Sequence, residues 1–216
     1  MALAPAEASR RLRAICATAP VMPVLVIEDD ATAQPLAEAL IGGGLPVLEV
    51  TLRTPAAPDV IREMASVVGG IVGAGTIVTP ADVAVAVEAG ARFAVSPGAT
   101  DQLLDACAEA ELPLLPGAAT ASEAMRLFAR GHDLLKFFPA EAAGGVAALR
   151  ALAGPLPGIA FCPTGGVSAR NAASYLALPN VACVGGSWIA PVDLIAAGDY
   201  GAITALARAA AALCPN

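Results

Sequence analysis

Lysine and histidine are nearly absent from this 216-residue chain, and each occurs once. Lys136 is the one lysine among 12 basic residues, the others being arginine, and His132 is the one histidine. No histidine, cysteine and carboxylate side chains are spaced as metal ligands are, so we expect no metal and no other cofactor. His132 precedes a predicted strand, and we interpret it as a turn or surface residue.

Long uninterrupted apolar runs are also absent, although 57% of the residues are hydrophobic and the mean hydropathy is +0.70. Glycine and proline interrupt every candidate, so no stretch of about 18 apolar residues could form a membrane-spanning helix. The first residues lack the apolar region of a signal peptide, and we expect a cytoplasmic protein. The cysteines include no C-x-x-C pair, which predicts free thiols at Cys16, Cys107, Cys162, Cys183 and Cys214.

Positive charge is scarce as well. The net charge is -7, the pI is about 4.6, and the only basic cluster is Arg10, Arg11 and Arg13. Nucleic-acid binding needs a basic face, so we expect no nucleic-acid partner. An anionic substrate would have to be attracted by a local site, because the overall field does not attract it.

Short apolar runs with strand character alternate with alanine-rich helical runs along the chain. The apolar runs begin 20 to 25 residues apart, which is typical of a repeated strand–helix unit. Eight such units predict a (β/α)8 TIM barrel, with residues 1–216 forming a single domain. An extra N-terminal helix is expected at 4–17 and a closing helix at 200–213. The predicted strands are 21–27, 46–51, 70–75, 93–96, 113–117, 134–138, 159–164 and 181–186.

An open doubly wound sheet is the alternative fold. Eight strands are many for a chain of this length, and residues 73–78, GAGTIV, carry only the first two glycines of the dinucleotide fingerprint G-x-G-x-x-G. Unusual residues gather instead where predicted strands end, in the motifs GAGT, SPGAT, LPGAAT, FFPAE, CPTGG and VGGS. In a barrel these strand ends meet at one face, where active sites are built.

Lys136 lies in the most apolar run of the chain, LLKFFPAE at 134–141. Side chains alternate along a strand, so Lys136 shares a face with Leu134 and Phe138. The lysine could extend its ammonium into solvent. However, the chain uses arginine everywhere else that it has a cation, and a guanidinium cannot act as an amine nucleophile. We therefore favour Lys136 as an amine that attacks a carbonyl.

Glu49 is the second polar residue inside an apolar strand, PVLEVT at 46–51. A carboxylate buried there costs several kcal/mol unless it is paired or hydrogen-bonded. An ion pair with Arg53 would satisfy it. With an amine candidate on another strand, we favour Glu49 as a general acid/base.

Two glycine turns end the last two predicted strands. The first contains Gly165 and Gly166, and the second contains Gly185, Gly186 and Ser187. The loops after strands seven and eight of a barrel commonly bind phosphate. Glycine lets backbone N–H groups approach phosphate oxygens, and a helix N-terminus favours the negative charge. The two turns together predict a phosphate site.

Two other classes of function account for part of this pattern. A barrel isomerase or epimerase of phosphorylated sugars would explain Glu49 and the glycine turns, but it needs no amine in a strand. A non-catalytic metabolite-binding barrel would bind ligands without turnover. A metal-free mechanism based on an amine uses all of the features.

Six motifs together resemble those of one enzyme family. LEVTLRT, GAGT, SPG, KFFPAE, FCPTGG and GGSW occur in order across about residues 20–200. They resemble 2-keto-3-deoxy-6-phosphogluconate (KDPG) aldolase and 4-hydroxy-2-oxoglutarate (KHG) aldolase. The resemblance implies that Lys136 forms the Schiff base and that Glu49 is the general acid/base. It further implies contacts to the substrate carboxylate from Arg53 and Thr76, a phosphate site at Gly165, Gly166, Gly185, Gly186 and Ser187, and pocket lining by Pro97, Phe138 and Thr164.

The same resemblance implies an activity and an assembly. The expected enzyme is a class I aldolase of the Entner–Doudoroff pathway, a lyase that cleaves KDPG to pyruvate and glyceraldehyde 3-phosphate. Many members also act on 4-hydroxy-2-oxoglutarate, and the usual assembly is a homotrimer. The aldolase for 2-keto-3-deoxy-6-phosphogalactonate is a close relative and the second choice, because its pattern lacks LRT and FFPAE.

Overall fold

A computed structural model describes residues 2–213 and contains two sheets, both made of parallel strands. The six-stranded sheet has the order β5-β4-β3-β2-β1-β9, and the three-stranded sheet has the order β6-β7-β8. The predicted α/β class with parallel strands is confirmed. The strands are β1 Val21–Leu25, β2 Val47–Thr51, β3 Ile71–Gly75, β4 Ala94–Val95, β5 Leu114–Leu115, β6 Gly117–Ala118, β7 Leu134–Phe137, β8 Ala160–Pro163 and β9 Val184–Gly186.

Helices connect successive strands, as parallel pairing requires, except between β5 and β6, which a single residue separates. Three of them begin at a threonine whose hydroxyl accepts from a backbone N–H of the first turn, at Thr79, Thr100 and Thr120. A 3-10 turn occupies Asp30–Thr32. The helices are α1 Pro5–Cys16, α2 Ala33–Gly42, α3 Ala57–Ala65, α4 Pro80–Glu88, α5 Asp101–Glu109, α6 Ala121–Ala129, α7 Gly145–Ala153, α8 Ala172–Leu176, α9 Val192–Ala196 and α10 Tyr200–Ala211.

One predicted strand, 113–117, is divided in two. Pro116 separates β5 from β6, because proline has no N–H to donate to a neighbouring strand. Its carbonyl still accepts a hydrogen bond from the Lys136 backbone N at 2.9 Å. The chain therefore keeps its direction, but it pairs with the six-stranded sheet before Pro116 and with the three-stranded sheet after it.

Alternate residues of each strand face two different apolar layers. On β2, Leu48 and Val50 join the large outer layer under the helices, whereas Val47 joins a smaller inner layer. The inner layer also receives Leu12 and Cys16 from α1. Since α1 covers the ends where the strands begin, the polar groups on the inner faces lie toward the opposite ends, at the carboxyl side.

The structure corrects the interpretation of His132. Its side chain is buried, with 5% of the residue exposed, and it lies among Leu3, Pro5 and Cys107 rather than at the surface. Burial lowers its pKa below the usual value, and the nearby Arg130 lowers it further while Asp133 acts in the opposite direction. Its position before a predicted strand suggested a turn or surface residue, but the chain before α1 covers it.

The cysteines that the structure describes are free, as predicted, and all of them are buried: Cys16, Cys107, Cys162 and Cys183. Cys214 lies outside the described residues. Within residues 2–213, no helix is both long enough and apolar enough to cross a bilayer.

Candidate active site

Lys136 and Glu49 meet on the inner face, although they are 87 residues apart in sequence. Lys136 Nζ lies 3.2 Å from Glu49 Oε1, and the two side chains are 5% and 2% exposed. The lysine therefore does not extend into solvent, and Glu49 is not paired with Arg53. A buried amine within hydrogen-bond reach of a buried carboxylate is the arrangement needed for proton exchange between them.

The strands around Glu49 leave room for its side chain through a glycine. Thr51 of β2 is paired with Gly75 of β3, and a Cβ added to Gly75 would lie 2.7 Å from Glu49 Cγ. Any larger residue at position 75 would displace the carboxylate. On the other side, the Phe138 ring centroid is 5.3 Å from Lys136 Nζ, which allows a cation–π contact. In the motif GAGT, only the last residue, Thr76, was predicted to be functional. The role of Gly75 in leaving space for the Glu49 side chain was not predicted.

Arg53 and Thr76 lie together just beyond the ends of β2 and β3. Arg53 Nε donates to Thr76 Oγ1 at 3.2 Å, and the arginine is exposed. No carboxylate of residues 2–213 forms an ion pair with Arg53, so its remaining donors can bind an anion. Thr76 has a φ of 62°, a left-handed conformation that is costly for a β-branched residue.

The two glycine turns are brought side by side by a bridge between Thr164 and Gly185. Gly165 O accepts from Glu141 N at 3.0 Å, and Gly166 O accepts from Asn171 Nδ2 at 3.1 Å. Among the described residues, the N–H groups of Gly165 and Gly166 have no hydrogen-bond partner. With its carbonyls held and its N–H groups free, this turn can bind an anion.

The second turn presents a hydroxyl and an aromatic ring. Ser187 is exposed, and within residues 2–213 its hydroxyl donates to no other group. Gly186 lies against the ring of Trp188, whose Cη2 would be 2.9 Å from an added Cβ. The five residues predicted to bind phosphate therefore lie on two neighbouring strand ends, the arrangement predicted from the sequence.

Three further residues were predicted to line a pocket. Pro97 and Phe138 are half-buried, and Thr164 is 6% exposed. A Cβ added to Gly165 would lie 3.3 Å from Phe138 Cδ2, so the ring borders the first glycine turn. Phe138 is thus near both Lys136 and this turn. Within the part of the chain that the structure describes, no group of three or more His, Cys, Asp and Glu side chains has the geometry to hold a metal ion.

A family model described as aldolase, KDPG and KHG aldolase, matches residues 12–206. The chain belongs to the KDPG and KHG aldolase family. This membership confirms the family that the six motifs indicated. A curated relative from Pseudoalteromonas atlantica, named 2-dehydro-3-deoxy-phosphogluconate aldolase, is 55% identical over 194 residues, or 89% of this chain and 90% of the relative.

Solved structures of family members agree with the fold. The aldolase of Zymomonas mobilis ZM4 with 3-phosphoglycerate has a TM-score of 0.90 at 47% identity, covering 95% of this chain and 97% of that one. The aldolase of Legionella pneumophila, with pyruvate captured as a covalent carbinolamine intermediate, has a TM-score of 0.89 at 48% identity, covering 93% and 98%. A structure described as native KDPGal is more distant, at 26% identity and a TM-score of 0.78, covering 88% and 91%.

Proposed function

We propose that this chain is a class I aldolase that cleaves KDPG to pyruvate and glyceraldehyde 3-phosphate through a Schiff base on Lys136. The observation that carries the proposal is a buried amine 3.2 Å from a buried carboxylate. The family of the chain and the carbinolamine described for the Legionella pneumophila aldolase support the same chemistry. An isomerase would have no use for an amine at this place.

The two sheets then form one closed (β/α)8 barrel with α1 as the extra N-terminal helix. At one junction, Pro116 links β5 to β6; at the other, bridges join Phe161 to Val181 and Thr164 to Gly185. Counting β5 and β6 as one interrupted strand gives the eight units expected from the sequence. The barrel is the single domain of this chain, and it acts in the cytoplasm as a homotrimer.

The first half of the reaction makes the imine. An ammonium has no lone pair, so the Lys136 proton passes to Glu49 over the short Nζ–Oε1 distance. The neutral amine attacks the C2 ketone of the substrate and forms a carbinolamine. Glu49 returns a proton to the departing hydroxyl, which leaves as water, and a protonated imine remains. No metal is needed, because the iminium itself accepts electrons from the bond that will break.

The second half breaks the C3–C4 bond. Glu49, directly or through a water molecule, removes the proton of the C4 hydroxyl. The electron pair of the C3–C4 bond flows into the iminium, giving an enamine, and glyceraldehyde 3-phosphate leaves with a new C4 carbonyl. Protonation of C3 and hydrolysis of the imine release pyruvate and free Lys136.

The two ends of the substrate bind to separate groups. Arg53 and Thr76 hold the carboxylate beside C2, since the guanidinium has unused donors and the threonine hydroxyl fixes its orientation. The glycine turns and the Ser187 hydroxyl hold the phosphate, and Pro97, Phe138 and Thr164 line the space between. The same machinery cleaves 4-hydroxy-2-oxoglutarate, whose distal group is a carboxylate instead of a phosphate. The KDPGal aldolase activity is the alternative, with lower similarity in support.

The test is borohydride trapping with pyruvate. Reduction should add one pyruvyl group, and peptide mapping should find it on Lys136, which is the only side-chain amine in the chain. Lys136→Arg should keep the positive charge and lose both the adduct and KDPG cleavage, because a guanidinium forms no such imine. Active enzyme without an adduct, or activity that EDTA removes and a metal restores, would contradict the Schiff-base mechanism.

A further inference from the structure

We propose that Glu141 and Tyr175 position the glycine loop, defined as residues 165–171, and thereby set the preference for phosphorylated over unphosphorylated substrates. The inference rests on the proposed function, since it assigns the phosphate to this loop. Neither residue touches the reacting atoms, so both act as positioning residues.

Glu141 contacts the glycine loop at two points. Its backbone N donates to Gly165 O at 3.0 Å. Its side chain packs on Gly166, where an added Cβ would lie 2.6 Å from Glu141 Cγ, and Gly166 has a φ of 79°. Glycine at position 166 is therefore required by the backbone conformation and by Glu141. Changing Gly166 would move the glutamate as well as the loop.

Tyr175 fixes the end of the Glu141 side chain. The Tyr175 hydroxyl donates to Glu141 Oε1, and the tyrosine is completely buried under α8 in the outer apolar layer. Burial raises the pKa of Tyr175 above its usual value, and the hydrogen bond to Glu141 raises it further, so the hydroxyl keeps its proton. An exposed, flexible carboxylate is thus held by a rigid donor.

These contacts connect three segments around the loop. Glu141 follows β7, Gly165 and Gly166 follow β8, and Tyr175 lies on α8. Asn171 adds contacts within the loop. Its Nδ2 donates to Gly166 O, and its Oδ1 accepts from Ser168 N at 2.7 Å. Gly165 O is held from outside the loop by Glu141, and Gly166 O is held from within it by Asn171. The free N–H groups of Gly165 and Gly166 are left for the phosphate.

The charge of Glu141 argues for positioning rather than attraction. A carboxylate beside a bound phosphate repels it, and this cost is tolerated only if the side chain has another use. The structure offers one, the hydrogen bond to Tyr175. A glutamine could accept the same hydrogen bond without the charge, whereas an alanine could not. Comparing these two substitutions separates the roles.

The experiment measures kcat and KM for KDPG and for 4-hydroxy-2-oxoglutarate in four proteins. These are the wild type, Tyr175→Phe, Glu141→Ala and Glu141→Gln. Loss of one hydrogen bond predicts a fall in kcat/KM for KDPG of about five- to tenfold in the first two variants, mostly through KM. Glu141→Gln should stay close to wild type, and 4-hydroxy-2-oxoglutarate should be cleaved at an unchanged rate. Tyr200→Phe and the exposed Glu88→Ala serve as matched controls.

Three outcomes would overturn the proposal. Equal losses on both substrates would indicate a general structural role for the pair. An unchanged KM for KDPG in both Tyr175→Phe and Glu141→Ala would show that the loop needs no support from them. Faster KDPG cleavage in Glu141→Ala would mean that repulsion dominates. Pyruvate trapping on Lys136 is followed in parallel, so a wild type without adduct or cleavage would refute the proposed function instead.

Discussion

Lys136 and Glu49 should be tolerated in the buried interior only when both are present. Two unit charges 3.2 Å apart attract by about 5 kcal/mol at an effective dielectric constant of about 20. Both side chains are almost completely buried, so desolvation offsets much of this attraction. Removing one charge alone leaves the other without compensation, which typically costs about 3–5 kcal/mol.

A double-mutant cycle measures this coupling. Lys136→Met keeps an unbranched side chain and strands the carboxylate, so it should lower the free energy of unfolding by about 3–5 kcal/mol. Glu49→Gln should cost less, about 1–3 kcal/mol, because the lysine keeps a polar neighbour. The double variant should be destabilised by clearly less than the sum of the two single effects, since no charge remains and only an unpaired amide is left. Urea unfolding at pH 7 gives all four values. The two variants without Lys136 should lack aldolase activity, because no amine remains to form the imine.

An exposed pair in the same chain provides the control. Asp59 and Arg62 form an ion pair on the surface of α3, and a cycle with Asp59→Asn and Arg62→Met should give a coupling below about 1 kcal/mol. The reasoning is refuted if the Lys136 and Glu49 effects simply add, or if Lys136→Met costs no more than Arg62→Met. Either result would mean that water reaches the buried pair and screens it.

Three further predictions concern the chemistry, the phosphate and pH. Glu49→Gln should lower kcat by about 10² to 10⁴ while pyruvate is still trapped slowly on Lys136, because imine formation and proton transfer from the C4 hydroxyl are separate steps. Ser187→Ala should lower kcat/KM for KDPG about fivefold, as expected for one lost hydrogen bond, and leave 4-hydroxy-2-oxoglutarate unaffected. His132 has a lowered pKa in the fold, so stability should be complete above about pH 6.5 and fall as pH drops below it, by at most about 1.4 kcal/mol per pH unit.

Each of these has an outcome that contradicts it. Near-normal kcat in Glu49→Gln would leave Glu49 a structural residue. Equal losses on both substrates in Ser187→Ala would remove it from the phosphate site. For His132, thermal unfolding is followed between pH 5 and 8 in wild type and in His132→Gln. An identical pH dependence in both proteins would assign the effect to other groups, because glutamine does not titrate.

The site residues that could be predicted from the sequence are those whose polarity conflicts with their apolar surroundings. Lys136 and Glu49 are charged residues in apolar strands, and this conflict made both of them candidates for catalysis. The 3.2 Å distance between Lys136 Nζ and Glu49 Oε1 could not be predicted from the sequence, because it depends on strand pairing across most of the barrel. Glu141 and Tyr175 carry no such conflict in the sequence, so nothing marked them as partners across 34 residues.

Local patterns also misled at two positions. His132 precedes a predicted strand, which suggested a turn or surface residue, yet the chain before α1 covers it. The fifth strand reads as one run, but Pro116 divides it because a proline cannot donate to the next strand. The burial of His132 depends on a segment distant in sequence, and the break at Pro116 depends on one missing N–H donor. Hydrophobic periodicity reports neither of these.

The scarcity of lysine has a consequence for how the enzyme tolerates its own product. Glyceraldehyde 3-phosphate is a reactive aldehyde, and free aldehydes condense with accessible amines. Lys136 is 4% exposed and is the only side-chain amine, while the remaining basic side chains are guanidinium groups. Outside its active site, the protein therefore offers the aldehyde no lysine to modify. Imine chemistry is confined to the one position where a substrate is bound and the imine can be resolved.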